Sequence, residues 1–237
     1  MPSTFEKLDL SRVPSPCFVV DEAVLERNLA LLARVQAEAG ARVLLALKAF
    51  SMFAVGPQVM RHLRGVAASG LWEARLGREE YGGEVHAFSP AYSQEDLADI
   101  LALSDHVVFN SAGQWRRFRD QARAARAGRP ELRLGLRINP EHSEGTTEIY
   151  DPCAPCSRLG ATRASLEGAD LDGLSGLHFH TLCEQGLPPL KRTVAAVEQK
   201  FGHLFEAMDW INFGGGHLIT QPGYDVDGLI AFVAGFG

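Results

Sequence analysis

Regular strand–helix alternation predicts an α/β chain with a parallel sheet, and the residues at the strand ends point to a (β/α)8 barrel. Three observations carry this. Short apolar runs recur seven times from Val43 onward. Helical patterns separate most of them. Lys48, Asn139, His180 and the run Gly214 to Gly216 all fall just after the C-terminal ends of strands. In a barrel those ends meet around one mouth, where sites are built. A doubly wound sheet would be satisfied with six or seven strands. A barrel needs eight, so it is expected here incomplete, with about seven of its eight strands.

In chain order, residues 1–20 are expected to form an N-terminal strand segment, with the strand over Ser15 to Val20. The barrel domain then occupies residues 21–237. Asp21 is placed to cap a helix with Val24, Leu25, Leu29, Leu32 and Val35 at helical spacing, stopped by Gly40. The expected strands are Val43–Leu47, Gly65–Ser69, Glu84–Phe88, His106–Phe109, Leu132–Ile138, Leu174–Phe179 and Trp210–Phe213. Ser93 and Ser111 should cap the helices running to Leu103 and Arg126. A long helix is expected over Pro188–Met208 and a last one over Asp227–Phe236. The loop from Glu141 to about Gly160 breaks the rhythm.

Composition excludes several classes. The net charge is −6 with a pI near 5.8, so there is no basic footprint for nucleic acid. No apolar run approaches the ~18 residues of a membrane span. The first ten residues lack the features of a signal peptide, and a cytoplasmic location is expected. Cys153 and Cys156 form a CxxC, but no second pair or nearby histidine completes a zinc set. No metal is expected, and the cysteines read as free thiols shaping a loop.

Lys48 is the residue with the strongest chemical pull. Only four lysines occur, and Lys48 alone follows a run of aliphatics. Burial of an unpaired ammonium is costly, and desolvation makes a lysine nucleophilic toward carbonyls. Lys48 is either a Schiff-base lysine or a strand-end side chain snorkelling into water. Glycines at 214–216 would let backbone N–H groups converge on a phosphate, or merely form a flexible turn. The dinucleotide spacing GxGxxG is absent. A phosphorylated aldehyde would satisfy both features, and pyridoxal phosphate is such a molecule. His178 and His180 are expected on opposite faces of their strand, one at the barrel mouth and the other toward the helix layer. Arg137 either binds a carboxylate or a ring hydroxyl, or forms an ion pair inside the barrel.

These residues resemble the fold-type III, pyridoxal-phosphate-dependent decarboxylases, whose barrel is like that of alanine racemase. Within them the chain is most similar to the carboxynorspermidine (carboxyspermidine) decarboxylases. The likeness rests on Ala46-Leu47-Lys48-Ala49-Phe50-Ser51, Ala68-Ser69-Gly70-Leu71-Trp72-Glu73, Leu136-Arg137-Ile138-Asn139-Pro140, Cys156-Ser157-Arg158-Leu159-Gly160, Gly176-Leu177-His178-Phe179-His180-Thr181-Leu182-Cys183-Glu184 and Asn212-Phe213-Gly214-Gly215-Gly216-His217. The resemblance implies that Lys48 holds the aldehyde of pyridoxal 5'-phosphate, His180 stacks on its ring and the Gly214–Gly216 backbone binds its phosphate. Cys183 stands where relatives place a phosphate-binding serine. The implied reaction is decarboxylation of carboxynorspermidine or carboxyspermidine, in polyamine biosynthesis. The implied assembly is a homodimer in the full-length form. The resemblance also implies an eighth strand with a glutamate for the pyridine nitrogen and a C-terminal β-domain. Neither lies within the 237 residues, so a truncated, weakly active or inactive chain is expected. Two alternatives stand beside this: a non-catalytic pyridoxal-phosphate carrier, and another decarboxylase of the same fold, such as one acting on diaminopimelate.

Overall fold

The computed structural model describes residue 5, residues 8–145 and residues 147–236. One sheet of seven strands runs through it: β1 (Leu44–Ala46), β2 (Gly65–Ala68), β3 (Glu84–Phe88), β4 (His106–Phe109), β5 (Arg133–Arg137), β6 (Gly176–His178) and β7 (Trp210–Asn212). All seven are parallel, in the order β1-β2-β3-β4-β5-β6-β7. That order has no reversal, so there is no switch point of a doubly wound sheet. All seven expected strands form, most of them shorter than expected.

Inside the sheet, contacts between strands that are not neighbours show the curl of a barrel. The His106 ring on β4 meets Trp210 on β7 edge-on, 4.9 Å between centroids, and Phe88 on β3 lies 5.5 Å from His178 on β6. Trp210 fills the interior because Gly135 and Gly176 leave room; a Cβ on Gly176 would sit 1.9 Å from the indole. The opposite face of each strand is apolar. Val85, Val107, Phe109, Leu134, Leu177 and Phe179 are buried toward the helices, each contributing about 1.5–3 kcal/mol through burial.

The helices are α1 (Glu22–Ala39), α2 (Gly56–Met60), α3 (Leu71–Leu76), α4 (Gln94–Leu103), α5 (Ala112–Gly128), α6 (Leu187–Phe201) and α7 (Val226–Ala234). Asp21 Oδ1 accepts from the N–H groups of Ala23 and Val24 at 2.9 and 3.1 Å, as a helix cap does. Ser93 and Ser111 cap α4 and α5 in the same way. The long helix expected to reach Met208 ends at Phe201. Gly202 is a poor helix former, and the winding tightens there into a 3-10 turn through Ala207. Among the described residues β1 and β7 each have a single strand neighbour. On the outside, α1 and α7 pack together, with an Arg34–Asp227 ion pair between them.

Residues Ser15 to Val20 do not form the expected strand. None of the described strands pairs with them, so their backbone has no ladder partner. Phe18 is 93% exposed. No helix of the described residues is long and apolar enough to cross a membrane.

Candidate functional site

The turn after β1 carries Lys48. Ala49 and Phe50 N–H groups both donate to the Ala46 carbonyl, at 3.0 and 3.1 Å, while Leu47 N–H donates to Ala67 on β2. Leu47 packs into the core, and Lys48 is left exposed beside it. Two other lysines are occupied: Lys200 Nζ donates to the Pro140 carbonyl at 2.6 Å, and Lys191 lies 5.6 Å from the Phe232 ring. Lys48 has no hydrogen bond or ion pair to the described residues. Its charge nevertheless reaches His180 and His178, where it helps lower both pKa values. The lysine therefore lies near enough to both histidines for its charge to act on them.

The expectation that His178 and His180 split between two faces is corrected here. Side chains two apart on a strand point the same way, and both imidazoles lie inside the barrel. Burial above all, then Arg137 and His180, hold His178 down to about 3. Burial, Lys48, Arg137 and His217 hold His180 down to about 4. Both rings are neutral near neutral pH. His180 Nδ1 accepts from the Gly215 N–H at 3.1 Å, so its remaining proton sits on Nε2.

Arg137 is 4% exposed and has no carboxylate partner among the described residues. Its Nη2 donates to the His180 carbonyl at 2.9 Å, and its guanidinium lies 4.8 Å over the Phe88 ring. Burial lowers its pKa to about 10, so it stays charged. The interior ion pair offered as one reading of Arg137 is absent among the described residues.

The glycine run leaves β7 and packs against the chain following β6. Gly214 and Gly216 have φ of +71° and +91°. A Cβ would meet the Phe179 carbonyl oxygen at 2.4 Å from Gly214 and the Leu182 carbonyl oxygen at 2.0 Å from Gly216; around Gly215 nothing lies within 4 Å. Two of the N–H groups expected to converge on a phosphate are already used. Gly214 N–H donates to Asn212 Oδ1 at 2.7 Å and Gly215 N–H to His180. The N–H groups of Gly216 and His217 have no acceptor among the described residues. The N–H groups left free therefore begin at Gly216.

Asn139 and Asn110, at the ends of β5 and β4, serve the long loop instead. Asn139 Nδ2 donates to the Pro152 and Leu159 carbonyls, and Asn110 pairs with the Arg158 carbonyl and the Gly160 N–H. The Arg158 side chain is exposed, and all four cysteines are free thiols. Sequence reasoning passed over Asn212 and His217. Alternation from Trp210 through Asn212 to Gly214 would have placed Asn212 on the inner face.

Known proteins resemble the chain in sequence and in fold. The chain is 44% identical over 227 residues to a carboxyaminopropylagmatine decarboxylase from Synechocystis, covering 96% of the chain and 57% of that protein. It is 40% identical over 225 residues to a carboxynorspermidine/carboxyspermidine decarboxylase from Campylobacter jejuni, covering 95% and 57%. In sequence the chain is similar to decarboxylases of carboxylated polyamines. It spans 57% of the length of each of these two relatives. The crystal structure of carboxynorspermidine decarboxylase from Campylobacter jejuni, complexed with norspermidine, superposes with a TM-score of 0.80 at 38% identity, over 91% of this chain and 54% of that one. A diaminopimelate decarboxylase superposes at 0.64 with 20% identity, which speaks for the shared fold alone. No family model matches the chain.

Proposed function

We propose that the chain is the barrel part of a pyridoxal-phosphate-dependent decarboxylase of carboxylated polyamines. One observation supports this most: an unpartnered lysine, a neutral inward histidine and two free backbone N–H groups share the mouth of the barrel. Lys48 would hold the cofactor's aldehyde through Nζ. The Gly216 and His217 N–H groups would take its phosphate, on a turn that a Cβ at 216 would push away from the Leu182 carbonyl. His180, fixed by Gly215, would face its ring. Arg137 keeps a positive charge at the inner wall, and that charge helps hold His180 neutral. The cofactor, when bound, supplies the electron sink for the charge left as carbon dioxide departs.

The named relatives act on substrates with different distal groups. Carboxyaminopropylagmatine carries a guanidinium, whereas carboxynorspermidine ends in an amine. Carboxynorspermidine, carboxyspermidine and carboxyaminopropylagmatine are therefore one substrate class here. Adding pyridoxal phosphate to the chain should produce an absorbance band near the visible edge that Lys48→Ala abolishes. Carbon dioxide release is then measured with each of the three substrates, and with diaminopimelate as the control. A band that survives Lys48→Ala, or turnover of diaminopimelate alone, would overturn the proposal.

A further inference from the structure

At the other end of the barrel lies a cluster that the proposed chemistry does not use. Glu84 and His86 are two apart at the start of β3 and share its inner face. His106, the first residue of β4, stands opposite His86 in register. One donor atom from each side chain lies within 4.8 Å of the other two. The two imidazoles stack, centroids 3.9 Å apart and 9° from parallel. His86 Nε2 meets Glu84 Oε2 at 3.0 Å, and Arg42 and Arg64 reach Glu84 Oε1 at 3.1 and 2.9 Å.

His106 is the unexplained member. It is 8% exposed, and its Nδ1 is buried with no hydrogen-bond partner. A buried ring nitrogen left unpaired is costly and calls for a cause. Trp210 covers the ring edge-on.

We propose that Glu84, His86 and His106 form a binding site for a borderline first-row divalent cation of the zinc class, at the barrel end opposite Lys48. Two imidazoles and one carboxylate suit such an ion, whereas calcium or magnesium would seek an all-oxygen shell. Three protein donors leave a fourth position for water. Tetrahedral zinc with bonds of about 2.0–2.2 Å needs its donors about 3.4 Å apart. Loading therefore draws the three side chains inward and breaks the His86–Glu84 hydrogen bond. Arg42 and Arg64 retain Glu84 Oε1, which aims the carboxylate, while the contact of Arg42 to Oε2 gives way to the ion; their charge opposes the ion and Glu84 supplies the countercharge, Asp105 being paired with Arg78 and Arg129. The ion would tie β3 to β4 at the base of the barrel.

The test is a titration of the 237-residue chain with Zn²⁺ by calorimetry, and with Co²⁺ by visible absorbance. One equivalent should bind. His86→Gln and His106→Phe should each weaken binding at least about tenfold, the lower end of what even a supporting residue contributes to a metal site. A Cys153→Ser/Cys156→Ser double variant should bind as the wild type does. Zn²⁺ should raise the melting temperature of the wild type and of neither histidine variant. Circular dichroism checks the fold, and Glu84→Gln takes the place of any variant that fails to fold. Absence of saturable binding, binding that persists without either histidine, or binding that depends on the cysteines would each overturn the proposal.

Discussion

His180 is tied to the glycine turn through one nitrogen. Its Nδ1 is the acceptor for Gly215 N–H, and its carbonyl is the acceptor for Arg137. His180→Phe keeps a ring in the same place and removes only the first of these. The Gly215 N–H, part-buried, then loses its partner. The expected cost is about 1 kcal/mol, the ordinary worth of such a bond, read as a lower urea midpoint without bound cofactor. An unchanged midpoint would show that water replaces the imidazole at no cost. The sequence disclosed that a histidine stands at the strand end. It did not disclose the role, because the acceptor depends on a turn 35 residues away. The misassigned faces of His178 and His180 had a simpler source: a period of two puts both on one side. That period was available from the sequence and was misread.

At the scale of elements, the strand pattern was legible because each strand is a short apolar run bounded by turn residues. The strand expected before the barrel was not apolar-run arithmetic. Ser15 to Val20 has strand composition, but a strand needs a partner, and none of the described strands supplies it. The glycine run was recognised, yet its N–H inventory was not, since Asn212 and His180 claim two donors only in three dimensions. The three glycines now make a graded series. Gly215→Ala should fold and bind pyridoxal phosphate as the wild type does, because no atom lies within 4 Å of the new Cβ. Gly214→Ala and Gly216→Ala combine a positive φ with contacts at 2.4 and 2.0 Å to backbone oxygens. Those oxygens belong to the chain after β6 and cannot yield without moving it. Losses of about 1–3 kcal/mol from strain alone are expected, with loss of the cofactor band. Thermal melts and the absorbance band of all three variants check this. Equal behaviour of the three would contradict the cradle.

For the whole molecule, the buried histidines set how the fold meets acid. His178 and His180 titrate at about 3 and about 4 in the folded chain, below the ~6.5 of an unfolded histidine. As pH falls through that value the unfolded chain takes up protons that the folded chain refuses. Their contribution is therefore complete above about pH 6.5 and is lost progressively toward pH 4 and 3. Each fully linked group removes about 1.4 kcal/mol per pH unit. Two of them set a ceiling of roughly 4 kcal/mol between pH 6.5 and 5, and partial exposure brings the expected loss to roughly 2–3. The best-paired carboxylates act later. Glu84, held near 2 by His86 and Arg64, loses its stabilising charge only as pH drops below its unfolded value near 4.5, so the two effects add in the same direction but in separate windows. Urea midpoints of the cofactor-free chain at pH 8, 6.5 and 5 should be level across the first two and lower at the third. His178→Phe should make that fall shallower, because a side chain that cannot be protonated removes its own share of the linkage, leaving those of His180, His106 and His217. A wild-type midpoint that holds from pH 8 to 5 would mean that the barrel interior admits water and charge freely, and the neutral state assigned to both imidazoles would have to be abandoned.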